Sequence, residues 1–168
     1  MRIPRKPTAG ELSESAVRAG IKSRMTVSGA ESCTGGLISK YLTDIPGSSA
    51  VLCGACVTYT NEAKMNLLGV TPTLIAEHTE VSYACAEAMA EGARRTFGSD
   101  VAYSTTGYAG PTGGTEKDPV GTVYVGISTH GKTVSYRLAL AHTTRREVRE
   151  AVARFVLARL AELLTLNP

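Results

Sequence analysis

The chain has 168 residues, of which 43% are apolar and 20% charged, a balance that suits one soluble domain with a single core and excludes an intrinsically disordered chain. Its net charge of +3 matches the three basic residues Arg2, Arg5 and Lys6, and the rest of the chain balances to neutrality. That gives no support to a nucleic-acid-binding face, and no apolar run reaches the roughly 18–20 residues of a membrane span.

The opening Met-Arg-Ile-Pro-Arg-Lys-Pro is basic but lacks the apolar stretch of a secretory signal. Residues 1–10 therefore read as a flexible basic tail and residues 11–168 as one domain. Glu11 to Arg24 has helical spacing, with Leu12, Ala16, Ala19 and Ile21 facing inward. Met25 to Ala30 is extended and leads into Ala30-Glu31-Ser32-Cys33-Thr34-Gly35-Gly36. A helix follows with Leu37, Ile38, Tyr41 and Leu42 on one face, until Asp44-Ile45-Pro46-Gly47 breaks it. Ala50 to Thr60 reads as a strand. Asn61 is placed to cap a short helix that Gly69 ends. Thr71-Pro72 starts another short helix, and Ser82 caps a longer one with Cys85, Met89, Ala93 and Phe97 four apart. Val101 to Thr106 is a strand, and Gly107 to Thr115 is a glycine-dense loop running on to Pro119. Val120 to Thr129 and Lys132 to Leu140 alternate around His130-Gly131, which predicts a hairpin. Thr144-x-x-Glu147 is a capping box for a last helix carrying Val148, Val152, Phe155 and Leu160. Helices and strands that alternate early, with a hairpin late, predict an α/β fold whose mixed sheet has helices on both faces.

Among four cysteines, Cys53-x-x-Cys56 has the spacing of half a zinc site or of a redox motif. It lies within an expected strand, where residues three apart point to opposite faces unless a bulge intervenes. Buried free thiols are expected, in keeping with a reducing cytoplasm. His78, His130 and His142 lie in unrelated places, and no H-E-x-x-H or similar metal spacing occurs.

Ser32 sits where extended chain becomes helix. Backbone amides and the helix dipole favour negative charge there, and Gly35 and Gly36 let a ligand approach closely. A serine so placed is suited to attack a carbonyl with its oxyanion held by amides, with Cys33 as a minor alternative nucleophile. The same residues also read as a capped helix start with a glycine-rich packing contact. Two further segments end strands: Thr58 to Lys64, and the loop from Thr106 to Thr115. If the three converge, Lys64 becomes a base for Ser32, since burial lowers an amine's pKa, and Tyr59 relays a proton or orients the pair. Alternatively, Lys64 is a solvated surface lysine and Tyr59 a half-buried strand aromatic. The loop carries no nucleotide-binding fingerprint, yet its glycines suit contact with a phosphate or sugar. Arg145 and Arg149 lie one turn apart and read equally as a phosphate pair or a solvated face.

At these residues the sequence resembles the CinA C-terminal domain family, the nicotinamide mononucleotide (NMN) amidohydrolases, in its stand-alone form. The resemblance rests on Ala30 to Gly36, Asp44-Ile-Pro-Gly-Ser-Ser49, Tyr59-Thr-Asn-Glu-Ala-Lys64, Leu67-Leu-Gly-Val70, Thr106 to Thr115 and Pro119-Val-Gly-Thr-Val-Tyr124, in that order. It implies a three-layer α/β/α fold and hydrolysis of the NMN amide to nicotinic acid mononucleotide and ammonia, with no metal or cofactor. Ser32 would be the nucleophile, Lys64 its base and Tyr59 an assistant. Amides near Thr34, Gly35 and Gly36 would hold the oxyanion. Thr106, Gly110, Gly113, Gly114 and Thr115 would line the substrate site, with Arg145 as the family's arginine. Three positions depart from the family pattern: Gly29 for a larger residue, Tyr108 for an aliphatic one, and Thr143-Thr144 for Gly-Asp. A cytoplasmic homo-oligomer acting on a small nucleotide, away from nucleic acid and membrane, is expected. The alternative is a non-catalytic module that senses pyridine nucleotides or binds a partner.

Overall fold

The computed structural model describes residues 5–140 and 144–166; His142, Thr143 and the first four residues lie outside them. The elements follow the order α1 (Ala9–Ser23), β1 (Val27–Glu31), α2 (Leu37–Thr43), β2 (Leu52–Val57), α3 (Asn61–Leu68), α4 (Pro72–His78), α5 (Tyr83–Phe97), β3 (Val101–Gly107), β4 (Thr122–Thr129), β5 (Lys132–Ala139) and α6 (Arg145–Leu166). A short 3-10 turn at Ser48–Ala50 links α2 to β2. No helix among the described residues is long and apolar enough to cross a membrane.

The five strands form one mixed sheet in the order β2-β1-β3-β4-β5. β1 pairs in parallel with β2 and β3, whereas β3-β4 and β4-β5 are antiparallel. The predicted late hairpin is present, with Thr129 paired to Lys132 across the His130-Gly131 turn. Helices α1, α2 and α6 cover one face, where Val17, Ile38, Leu42, Val152, Val156 and Leu160 pack on Val27, Val101, Val123 and Val125. Helices α3 and α5 cover the other, with Leu68, Cys85, Met89 and Ala93 against Ala30 and Ala102. This is the three-layer α/β/α arrangement, and it buries β1 on both sides.

The chain explains several of its own boundaries. Helix α1 starts at Ala9, because Thr8 and Glu11 form a reciprocal capping box; residues 9 and 10, expected in the basic tail, belong to the helix. Ile21, expected inward, is 47% exposed near the helix end, while Val17 and Gly20 take the inward positions. The cap of α3 is Thr60, whose hydroxyl accepts from the Ala63 amide, and Asn61 is the first helical residue. The capping box at Thr144 and Glu147 forms as expected and opens α6.

All four cysteines are free, but Cys53 is exposed and Cys56 half-buried, against the expectation of burial. The physical reason lies in β2, an edge strand whose register against β1 skips Cys53, so this residue bulges out of the ladder. No group of three or more His, Cys, Asp or Glu among the described residues is placed to hold a metal ion.

Gly29 is explained by its neighbour across β1 and β3. The Tyr103 ring lies over it, so that a Cβ there would stand 2.2 Å from the ring. The missing side chain lets a large, fully buried aromatic lie flat against the strand and aim its hydroxyl at Glu31.

Candidate active site

The three strand ends singled out in the sequence meet. The Ser32 amide donates to the Thr105 carbonyl at 3.0 Å, tying the end of β1 to β3. The Thr58 amide donates to the Glu31 carbonyl at 2.9 Å, tying it to β2. These bonds extend the parallel ladder past Glu31, so Ser32 emerges at the carboxyl edge of the sheet, where α/β folds bind ligands.

The turn after Ser32 is held by a buried carboxylate. Glu31 is fully buried and accepts hydrogen bonds from the amides of Ile38 (3.2 Å) and Ser39 (2.8 Å), from the Ser39 hydroxyl and from the Tyr103 hydroxyl (3.1 Å). The N-cap of α2 is Gly36, with φ 89° and no side chain to cap the helix. Glu31 supplies that cap from the preceding strand and places a negative charge at the positive end of the helix. Glu31→Ala is expected to destabilise the fold by about 2–4 kcal/mol, because it strands two amides and a phenol in a dry site. In a chain of this size that corresponds to a melting temperature lower by roughly 6–12 °C, measurable by circular dichroism.

Lys64, on the first turn of α3, is 1% exposed, and Ser32 is 8% exposed. The Lys64 Nζ lies 3.4 Å from the Ser32 Oγ, 3.0 Å from the Thr58 carbonyl oxygen and 3.5 Å from that of Tyr59. Burial holds the amine below its ordinary value near 10.5, while the nearby charge of Glu80 acts against that lowering. A neutral amine has two N–H donors and one lone pair. Two carbonyls can take the donors, which leaves the lone pair for the serine hydroxyl. The reading of Lys64 as a solvated surface lysine is thereby excluded.

Tyr59 is 59% exposed and contributes to the Lys64 cradle through its backbone carbonyl. Its hydroxyl accepts from the Arg145 Nη2 at 3.0 Å. The Arg145 Nη1 donates to the Gly110 carbonyl at 2.8 Å. Arg149 does not join it; its guanidinium donates twice, at 3.1 and 2.7 Å, to the Thr34 carbonyl and so clamps the Ser32 turn to α6. Cys33 also borders the site, but burial, with the charge of Glu31 adding, pushes its thiol up to about 12. Such a thiol stays protonated at neutral pH and is a poor nucleophile.

A cavity of about 310 Å³ opens over these groups, lined by Ser32, Cys33, Tyr59, Lys64, Thr106, Gly110 and Arg145 from the expected set and by Glu80, Val81, Gly107, Tyr108, Ala109 and Thr112 besides. Thr106 lines it with its hydroxyl already committed to the Glu80 carbonyl at 2.6 Å. Six other expected residues do not line this cavity. Thr34 is fully buried with its hydroxyl on Thr105 at 2.8 Å. The Gly35 amide is used by the turn itself, donating to the Ser32 carbonyl at 3.1 Å, and Gly36 packs toward Val57. Gly113, Gly114 and Thr115 shape the loop rather than the cavity. A Cβ on Gly114 would meet the Val120 nitrogen at 2.7 Å, and Thr115 closes a tight turn with Asp118. Thr115 borders a separate cavity with Tyr83, Lys117 and Tyr124.

The sequence profile of the CinA C-terminal domain matches residues 9–164. The chain belongs to the CinA C-terminal domain family. Among curated relatives, it is 47% identical over 143 residues to a CinA-like protein of Shewanella denitrificans, covering 85% of this chain and 34% of the relative. It is 46% identical over 133 residues to the nicotinamide-nucleotide amidohydrolase PncC of Shewanella oneidensis, covering 79% of this chain and 31% of that protein. The chain thus spans about a third of the length of these relatives. Among solved structures, a CinA superfamily protein of Klebsiella pneumoniae superposes with a TM-score of 0.90 at 33% identity, over 95% of this chain and 99% of that one. The competence/damage inducible protein CihA of Agrobacterium tumefaciens matches with a TM-score of 0.90 at 36% identity, over 96% and 99%. The family's fold is therefore the fold of this chain, and the expected α/β architecture is the observed one.

Proposed function

We propose that the chain hydrolyses the carboxamide of NMN to nicotinic acid mononucleotide and ammonia, using Ser32 as nucleophile and Lys64 as its base. The observation that carries this reading is the buried Lys64 amine 3.4 Å from the Ser32 hydroxyl within a cavity that also presents Arg145. The family, and the name of the Shewanella oneidensis relative as a nicotinamide-nucleotide amidohydrolase, support this substrate.

In this mechanism Ser32 Oγ attacks the amide carbon as its proton passes to Lys64 Nζ. The oxyanion is received by the amides of Cys33 and Thr34, at the turn that leads into α2. Collapse breaks the C–N bond, and the Lys64 ammonium returns a proton to the departing ammonia. Water, deprotonated by the same amine, then cleaves the acyl-serine ester and regenerates both groups. Every proton is carried by Lys64, so the cycle calls for no metal or cofactor. Arg145 faces the phosphate, and Tyr59 and Gly110 hold that guanidinium in place. The neutral balance of the chain outside its first ten residues offers no electrostatic footing for nucleic acid, and a cytoplasmic homo-oligomer is the setting we infer.

The test is ammonia release from NMN by the purified protein. Turnover supports the amidohydrolase. Tight NMN binding by calorimetry with no ammonia would replace it with a sensing module.

A further inference from the structure

The cavity above Ser32 is polar in a directional way. Among the described residues that line it, Glu80 is the one carboxylate, and it shares the cavity with the Lys64 amine and the Arg145 guanidinium. Glu80 lies in the short link between α4 and α5, where Thr79 has φ 67° and ψ 167°. A β-branched residue rarely adopts that backbone, and such strain persists when surrounding bonds over-determine it. Here three hydroxyls do so. Thr106 donates to the Glu80 carbonyl at 2.6 Å, Thr79 to the Val81 carbonyl at 3.2 Å, and Ser82 to the Thr79 carbonyl at 3.0 Å. The link is thus pinned to β3 at the residue that borders the cavity. The Glu80 carboxylate takes no hydrogen bond or ion pair from the described residues, although its charge is felt at Lys64 and Tyr108. A half-buried carboxylate with no partner among the described residues, in a cleft that also presents an arginine, is suited to face a cation.

The geometry points to Glu80 as the specificity-determining residue that selects a positively charged ring beside the amide under attack. This rests on the amidohydrolase reading and deepens it. NMN is a zwitterion with a pyridinium at one end and a phosphate at the other. With its carboxamide at Ser32 and its phosphate at Arg145, the ring cation comes to face Glu80. The same carboxylate disfavours the product, whose new carboxylate is generated in the same cleft, and so aids its departure.

Reduced NMN separates this role from a structural one, because it keeps the carboxamide, ribose and phosphate but has a neutral dihydropyridine ring. Calorimetry on Ser32→Ala, which cannot turn substrate over, is compared with Ser32→Ala/Glu80→Gln. The second change is expected to weaken NMN by about tenfold and to leave reduced NMN within about twofold, the scale of one charge pair in a partly solvated cleft. Unchanged reduced-NMN binding also certifies a folded site. Equal weakening of both ligands, or of neither, overturns the assignment of Glu80 alone. Failure of Ser32→Ala to bind either ligand overturns the nucleotide reading and this inference with it.

Discussion

Ser32→Ala is expected to lower ammonia release from NMN by about 10⁴-fold while leaving the NMN dissociation constant within about threefold of wild type. The substitution removes one oxygen from a position that the structure fixes on three sides: the Thr105 carbonyl holds its amide, Glu31 holds the helix that follows, and Arg149 holds the Thr34 carbonyl two residues on. None of these bonds uses the Ser32 hydroxyl, so the turn keeps its shape and the cleft its ligand. A split between kcat and binding is what distinguishes loss of a nucleophile from loss of a fold. Activity equal to wild type would remove Ser32 from the chemistry.

The second large effect belongs to Lys64→Met, which is expected to cost about 10³-fold in kcat and yet to raise stability at neutral pH by about 1–2 kcal/mol. The two changes have one cause. The amine is 1% exposed, and burial holds its pKa below the ordinary 10.5. Below the folded value both states carry the proton, and the folded state bears a desolvated charge. Between the folded and unfolded values the unfolded chain binds more protons, so stability rises with pH through that window and the penalty is gone above it. Lys64→Met has no such slope. Chemical denaturation from pH 7 to 10.5 would therefore show the two proteins converging as pH rises, with the variant ahead at the acid end. The rate follows the same proton: wild-type kcat/KM climbs as the amine loses it and levels off below the pH expected for a solvated lysine. A flat pH profile, or a variant less stable than wild type at pH 7, would refute the buried base.

Local signals made the centre of this site legible. Ser32 is announced by an extended run passing into a glycine pair and an amphipathic helix, and Lys64 by a strand followed by a capped helix. Both signals lie within a few residues of the group they position. What the local pattern leaves open depends on contacts distant in sequence. The Thr34 hydroxyl is taken up by Thr105, 71 residues further along the chain, and only the Thr34 backbone is left to face the turn. Gly114 is small because the chain doubles back on Pro119 and Val120, a close approach that the run of glycines does not announce. Glu80 was invisible for the opposite reason. A left-handed turn ordinarily advertises itself with glycine, and here a threonine adopts it. Glu31 had one available signal, an acidic residue at the end of a strand otherwise destined for burial on both faces. Tyr103 explains Gly29, and no reading of either residue alone suggests the pair.

The clamp from Arg149 to Thr34 joins positions 115 residues apart. On a ribosome adding about 5–20 residues per second, the serine leaves the exit tunnel roughly 6–23 s before the arginine that grips its turn. Throughout that interval the turn that carries Ser32 lacks the guanidinium that clamps it. Premature termination ahead of position 145 would therefore release a truncated chain lacking one wall of its cleft, so that translation itself withholds that wall until α6 is made.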